Sequence, residues 1–140
     1  MRNSILIIVS VLLLVVYFST GCKKEEDTTN EFLVKIDSIQ MADTIDFGSA
    51  LDVNFFGLIG TNDCYSFSRF EQVQAVVGDP DNSIRIQTYG KFEDNGNCQP
   101  ATVYMNPVTL QITGMFAGTF RVLAIQPDGT ILTAVCYVKE

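Results

Sequence analysis

Period-two alternation of apolar and polar residues, punctuated by turn formers, constrains this chain more than any other feature. Phe32, Val34 and Ile36 share one face, and Leu51, Val53 and Phe55 alternate with Asp52 and Asn54. Tyr65 and Phe67 alternate with serines, Val73, Ala75 and Val77 with glutamines, and Ile84 and Ile86 with Arg85 and Gln87. Val103 with Met105, then Val108, Leu110 and Ile112, then Phe120, Val122 and Ala124 repeat the pattern, and residues 131–138 close it. Between these runs stand Gly57, residues 60–63, 78–82 and 94–97, Asn106-Pro107, Ala117-Gly118 and Pro127-Asp128-Gly129. Gly and Asn tolerate positive φ and Pro fixes φ, so these clusters turn the chain. No window carries a helical stripe, and the best candidate, residues 70–77, is short and rich in β-branched and amide side chains. Short strands at regular spacing predict an all-β, antiparallel β-sandwich of about seven or eight strands, immunoglobulin-like in the broad sense. With no Trp in the chain, the Cys…Trp…Cys hallmark of antibody domains is missing. The sharpest local expectation is a final hairpin, 119–126 and 130–138, around a type I turn closed by Gly129 in the left-handed region.

The first residues obey a different rule. Met1-Arg2-Asn3 is a short positive start, and residues 5–18 are apolar except for Ser10. Ser19-Thr20-Gly21 then supply small side chains before Cys22. Charge, apolar run and small-residue exit are the three parts of a secretory signal peptide, and the run is shorter than the roughly 20 residues of a spanning helix. Thr20-Gly21-Cys22 resembles the lipobox of bacterial lipoproteins, with Ser19 standing where that pattern has an aliphatic residue. The resemblance implies removal of residues 1–21 and lipid on Cys22, and two or more acyl chains anchor a protein stably. No transmembrane helix would then remain in the mature protein.

Residues 22–30 follow as a tether, since Lys23-Lys24-Glu25-Glu26-Asp27-Thr28-Thr29-Asn30 has no apolar side chain to bury. A cysteine followed by Lys-Lys and an acidic cluster resembles the start of many lipoproteins of the Bacteroidota, where such a stretch implies export to the cell surface. The expected localisation is therefore the outer membrane, lipid-anchored and surface-displayed, with the periplasmic face as the alternative.

The folded part, residues 31–140, suits one domain with one hydrophobic core. Without Arg2, eight basic and sixteen acidic side chains remain, a formal charge of −8. Scattered acidity argues against nucleic acid and anionic head groups as partners.

Cys64, Cys98 and Cys136 lie in this domain. An oxidising compartment favours pairing, and an odd count leaves one thiol over. Cys64 and Cys98 lie at loop edges, whereas Cys136 shares an apolar face with Leu132, Ala134 and Val138. That placement favours a Cys64–Cys98 disulfide and a buried, reduced Cys136 over the two pairings that involve Cys136. A metal site of three thiols is disfavoured by wide spacing and the absence of any His or CxxC motif.

The lack of His removes the commonest general base, the Ser-His and Cys-His pairs and most transition-metal sites. No phosphate loop is present, because Gly57-Leu58-Ile59-Gly60 lacks the lysine such a loop needs. Two acidic turns, 79–82 and 93–97, cluster oxygen ligands for calcium without EF-hand spacing. No cofactor and no catalytic residue is implied. The stretch from Ile59 to Phe70, with Gly60, Cys64, Tyr65 and Phe67, resembles small lipoproteins of the same bacterial group. They share a later cysteine and a Gln-Pro-Asp-Gly hairpin, here Gln126 to Gly129. That resemblance supports the fold and the disulfide and brings no established activity.

Three functions compete. A non-catalytic binding or structural module for a protein or glycan partner is expected first, with Tyr65, Tyr89, Phe92 and Tyr104 as its candidate exposed aromatics. A small carboxylate-dependent hydrolase needs two acids converging in one pocket. A periplasm-facing assembly or inhibitor lipoprotein differs from the first only in topology.

Overall fold

The computed structural model describes residues 30–94 and 96–140. The expected signal peptide, Cys22 and the tether up to residue 29 lie outside the described residues. Nine strands and no helix are found among those described: β1 (Asn30–Leu33), β2 (Ser38–Gln40), β3 (Thr44–Asp46), β4 (Leu51–Asn62), β5 (Tyr65–Val73), β6 (Ser83–Phe92), β7 (Pro100–Ile112), β8 (Gly118–Ile125) and β9 (Ile131–Lys139). The all-β expectation holds. No helix of the described residues is long and apolar enough to cross a membrane.

The strands form two sheets. The smaller has the order β2-β4-β7 and is wholly antiparallel. The larger, a curled half-barrel, runs β1-β6-β8-β9-β3, with β5 on the other flank of β6. β5 pairs along β6 from Phe92 to Arg85, while the opposite flank is shared between β1 at residues 89–92 and β8 at residues 83–86.

Two pairings, β3–β9 and β6–β8, are parallel. They correct the expectation of a plain antiparallel arrangement. The reason is topological: each parallel partner arrives by a crossover from the other sheet, and alternation within a strand carries no information about its neighbour.

Side chains from both sheets enclose one core. Val53 and Phe55 of β4 are fully buried beside Ile86, Val122 and Cys136 of the larger sheet. The rings of Phe55 and Phe70 meet across the sheets at 4.8 Å between centroids. Fully burying side chains of this size contributes about 1.5–3 kcal/mol each.

Two local readings change. Val73, Ala75 and Val77 do not continue a strand: β5 ends at Val73, and Val76 and Val77 are exposed. The Asp79 carboxylate accepts the Val76 N–H at 2.7 Å and the Asp79 N–H donates to the Val76 carbonyl at 3.0 Å, a reciprocal pair that bends the chain. Asn106-Pro107 is not a turn either. It lies inside β7, with a cis peptide and a register shift against Phe55 and Gly57.

The final hairpin forms as expected. Gly129 has φ 81° and donates to the Gln126 carbonyl at 2.9 Å, and Gln126 N–H donates to the Thr130 carbonyl at 2.9 Å. Asp128 accepts from the Thr130 hydroxyl and N–H at 2.7 and 3.0 Å, which holds its carboxyl below the usual range. The Gln126 side chain is buried and clasps Ile36. Its Oε1 accepts the Ile36 N–H at 2.9 Å, and its Nε2 donates to the Ile36 carbonyl at 3.1 Å. An amide side chain thereby pairs Ile36, between the backbone bonds that Val34 N–H donates to Thr88 and Asp37 N–H donates to Phe56.

Candidate functional site

The chain passes between sheets twice at one end of the domain, at Asp63-Cys64 between β4 and β5 and at residues 93–99 between β6 and β7. Cys64 and Cys98 form a disulfide there, with Cα atoms 5.4 Å apart. Backbone bonds reinforce it: Glu93 N–H donates to the Cys64 carbonyl at 3.0 Å, and Asp63 N–H to the Gln99 carbonyl at 3.1 Å. The Asp63 carboxylate accepts the Gln99 N–H at 2.8 Å. The three cysteines are thus disposed as expected, with Cys136 free and 0% exposed. Burial pushes its thiol pKa up, helped by the nearby charge of Asp43. Asp94 lies beside the bridged sulfurs, but sulfurs joined to each other are no longer thiolate ligands.

Beside the disulfide is an open groove of about 570 Å³. Phe32, Tyr65 and Phe92 form its aromatic wall, with Asn30, Glu31 and Thr61 supplying polar groups. The Phe32 and Tyr65 rings meet edge to face at 5.7 Å, and Tyr65 and Phe92 lie 4.8 Å apart, separations typical of favourable aromatic pairs. Gly60 makes this seating possible. A Cβ there would lie 2.1 Å from the Tyr65 ring, so any side chain at position 60 would expel the tyrosine.

One carboxylate, Glu31, lines the groove. It accepts from the Ser68 hydroxyl and, at 3.0 Å, from Arg69 Nη2. These two partners hold its carboxyl below the ordinary range, with Ser68 the larger cause. Arg69 also pairs with Glu71 and lies 4.2 Å over the Tyr89 ring, and its carboxylates, Glu71 first, raise its pKa. A groove acid kept ionised by a serine hydroxyl and an arginine is a hydrogen-bond acceptor and is poorly suited to donating a proton at neutral pH.

Of the four candidate aromatics, Tyr65 and Phe92 come together. Tyr89 is held under Arg69 on the outer face of the larger sheet, and Tyr104 pairs with Leu58 in the smaller one. The third groove aromatic, Phe32, is read from sequence as core, and Glu31 gives no sequence signal beyond its place at the domain boundary.

The acidic turn at 79–82 is committed to structure. Asp79 takes Arg85 Nη1 at 2.7 Å on one oxygen and the Val76 N–H on the other. Asn82 is spent on Phe116 and Thr119. In the other turn Asp94 accepts the Gly96 N–H at 2.8 Å, and Glu93 pairs with Lys91. Comparison with known proteins yields no matching family model, no matching curated protein and no matching solved structure.

Proposed function

We propose that this chain is an exported lipoprotein of the Bacteroidota type, attached to the outer membrane through lipid on Cys22. Its domain is an immunoglobulin-like β-sandwich in the broad sense, displayed at the cell surface as a non-catalytic binding module. The observation that carries the binding reading is the groove of Phe32, Tyr65 and Phe92 with its single ion-paired carboxylate. Aromatic faces with a few placed polar groups suit a glycan or a peptide, which presents both apolar and hydrogen-bonding surface. The Cys64–Cys98 disulfide supports export, since such bonds persist in oxidising compartments. Two sheets sharing one core support the sandwich, although the larger sheet curls and carries two parallel pairings.

The binding reading is tested by titrating the isotope-labelled full chain with neutral oligosaccharides and with peptides. Shifts should cluster at Phe32, Tyr65 and Phe92 and vanish in Tyr65→Ala, whose remaining spectrum stays folded. Shifts confined to other surfaces would overturn the site. Anchoring is tested separately: Cys22→Ala should lose incorporation of labelled palmitate, and intact-cell protease shaving should remove the domain from wild-type cells. Survival of the domain in shaved cells would place it on the periplasmic face.

A further inference from the structure

Among the described residues β5 pairs only with β6 and β7 only with β4, so each is the outer edge of its sheet on the same side of the domain. Both start at the Cys64–Cys98 staple and run the same way. Between them lies a groove of about 350 Å³, with Phe70, Gln72, Ile84 and Ile86 on one wall and Leu110 and Ile112 on the other. A second groove of about 300 Å³ shares Gln72, Ile84 and Ile112 and continues to Phe116 and Phe120.

Side chains here face inward without being covered. Gln72 pairs with Ile86, whose side chain is in the core, yet Gln72 is exposed. Phe70, Ile84, Val108 and Leu110 pack on the core while remaining partly open.

We propose that this seam is a docking site for an extended, uncharged β-strand donated by a partner protein. Two observations specify that occupant. An unpaired sheet edge offers a row of N–H and C=O groups that an extended backbone satisfies best, and here two such edges flank one uncharged floor on which Ile84, Ile86 and Leu110 stand among Gln72, Gln111 and Thr113. Charge supplies the second. Natural edge strands are commonly guarded by charged side chains or proline; β7 has Pro107 but no charge among its thirteen residues, β5 carries Arg69 and Glu71 opposite Tyr89 and Gln87 and off the groove, and no residue lining either groove is charged. In a chain of net charge −7 this is a neutral track, matched by a neutral strand with alternating apolar residues. This inference does not rest on the aromatic groove, which lies beside β1.

The probe is a synthetic blocked peptide, Ser-(Thr-Val)4-Ser, added to the full chain in detergent and followed by amide hydrogen exchange. Exchange over 65–73 and 100–112 should slow at least tenfold, with β2 and β3 unchanged. Gln72→Lys and Thr113→Lys, both at exposed positions, should each weaken binding at least fivefold. A control peptide with proline at alternate positions, unable to donate along an edge, should give no protection. No slowing in β5 and β7, equal slowing by the proline peptide, or concentration-dependent slowing without any peptide would each overturn the proposal. The last would assign the seam to a second copy of the chain.

Discussion

The two sheets meet along two seams, and only one is covered. On one side the chain leaves β2 in the smaller sheet, crosses in three residues and enters β3 in the larger. Tyr137 N–H donates to the Asp43 carbonyl and Phe47 N–H to the Lys139 carbonyl, fixing this strap across β9. Cys136 and Val138 beneath it are fully buried. On the other side the chain crosses at the disulfide end and again in the β7–β8 link at residues 113–117, and between those two crossings β5 and β7 run side by side as free edges. Covering a seam thus takes very little chain, two strands of three residues each. The open seam is therefore a property of topology and not of a shortage of sequence.

The largest expected effect follows from the staple being the covalent link across the open side. Cys64→Ser with Cys98→Ser should lower stability by about 3–4 kcal/mol, as the loop-entropy account gives for 34 residues of separation. Urea midpoints of the full chain with and without reductant measure it. Exchange should accelerate first in β5 and β7, and acceleration confined to β3 and β9 would reverse the assignment of the weak side.

Next comes the clasp that leads the chain to the strap. Gln126→Met preserves side-chain volume but strips the Ile36 N–H and C=O of their partners in a buried place. Leaving a buried polar group unpaired costs about 1–3 kcal/mol, and because both Ile36 groups belong to one peptide segment that can shift together, a loss at the low end of their sum, about 2–3 kcal/mol, is expected. A loss below half that value would mean water or a local shift replaces the clasp.

A smaller effect should appear under the strap. Ile45 packs partly buried on the core above Cys136, and Ile45→Ala should cost about 1–2 kcal/mol and hasten Cys136 labelling by a thiol reagent. The pH sign is fixed by the thiol's raised pKa. Its contribution is complete below the ordinary value of 9.0 and is lost as pH rises towards and through the folded value. Cys136→Ala should therefore flatten the alkaline limb of a stability–pH curve and leave the acid limb unchanged.

These regions differ in how far the sequence reveals them. Alternation exposes which side chains face inward, so Leu51, Val53 and Phe55, and likewise Phe120, Val122 and Ala124, are legible without coordinates. Cys64, Cys98 and the hairpin at Gln126 are legible because turn chemistry is local. Neighbour identity is not local. Nothing in β8 announces a parallel partnership with β6, and Asn106-Pro107 reads as a turn because a proline within a paired strand is uncommon away from an edge. That proline in fact lies on an edge strand, which is where the rule permits it. The groove was half legible: Tyr65 and Phe92 are named by their type, but Phe32 follows the same alternation as a core residue. Only the short β1, laid on β6 beside β8, brings it to the wall of the groove.

The smallest effect separates a free edge from a hidden one. Gln72 occupies an inward-facing register position on β5, opposite Ile86, and in a closed seam a charge there would be desolvated. Burying an uncompensated charge commonly costs several kcal/mol. Because the seam is open, Gln72 already reaches solvent, and a lysine can extend its ammonium into water while its stem covers apolar surface. Gln72→Lys should consequently change the urea midpoint by less than the equivalent of about 0.5 kcal/mol, the range of ordinary surface substitutions. The same replacement at Ile86, its buried partner, should prevent folding or cost far more. If Gln72→Lys instead destabilised the chain strongly, then β5 would already be covered in solution, and the contrast between the two seams would disappear.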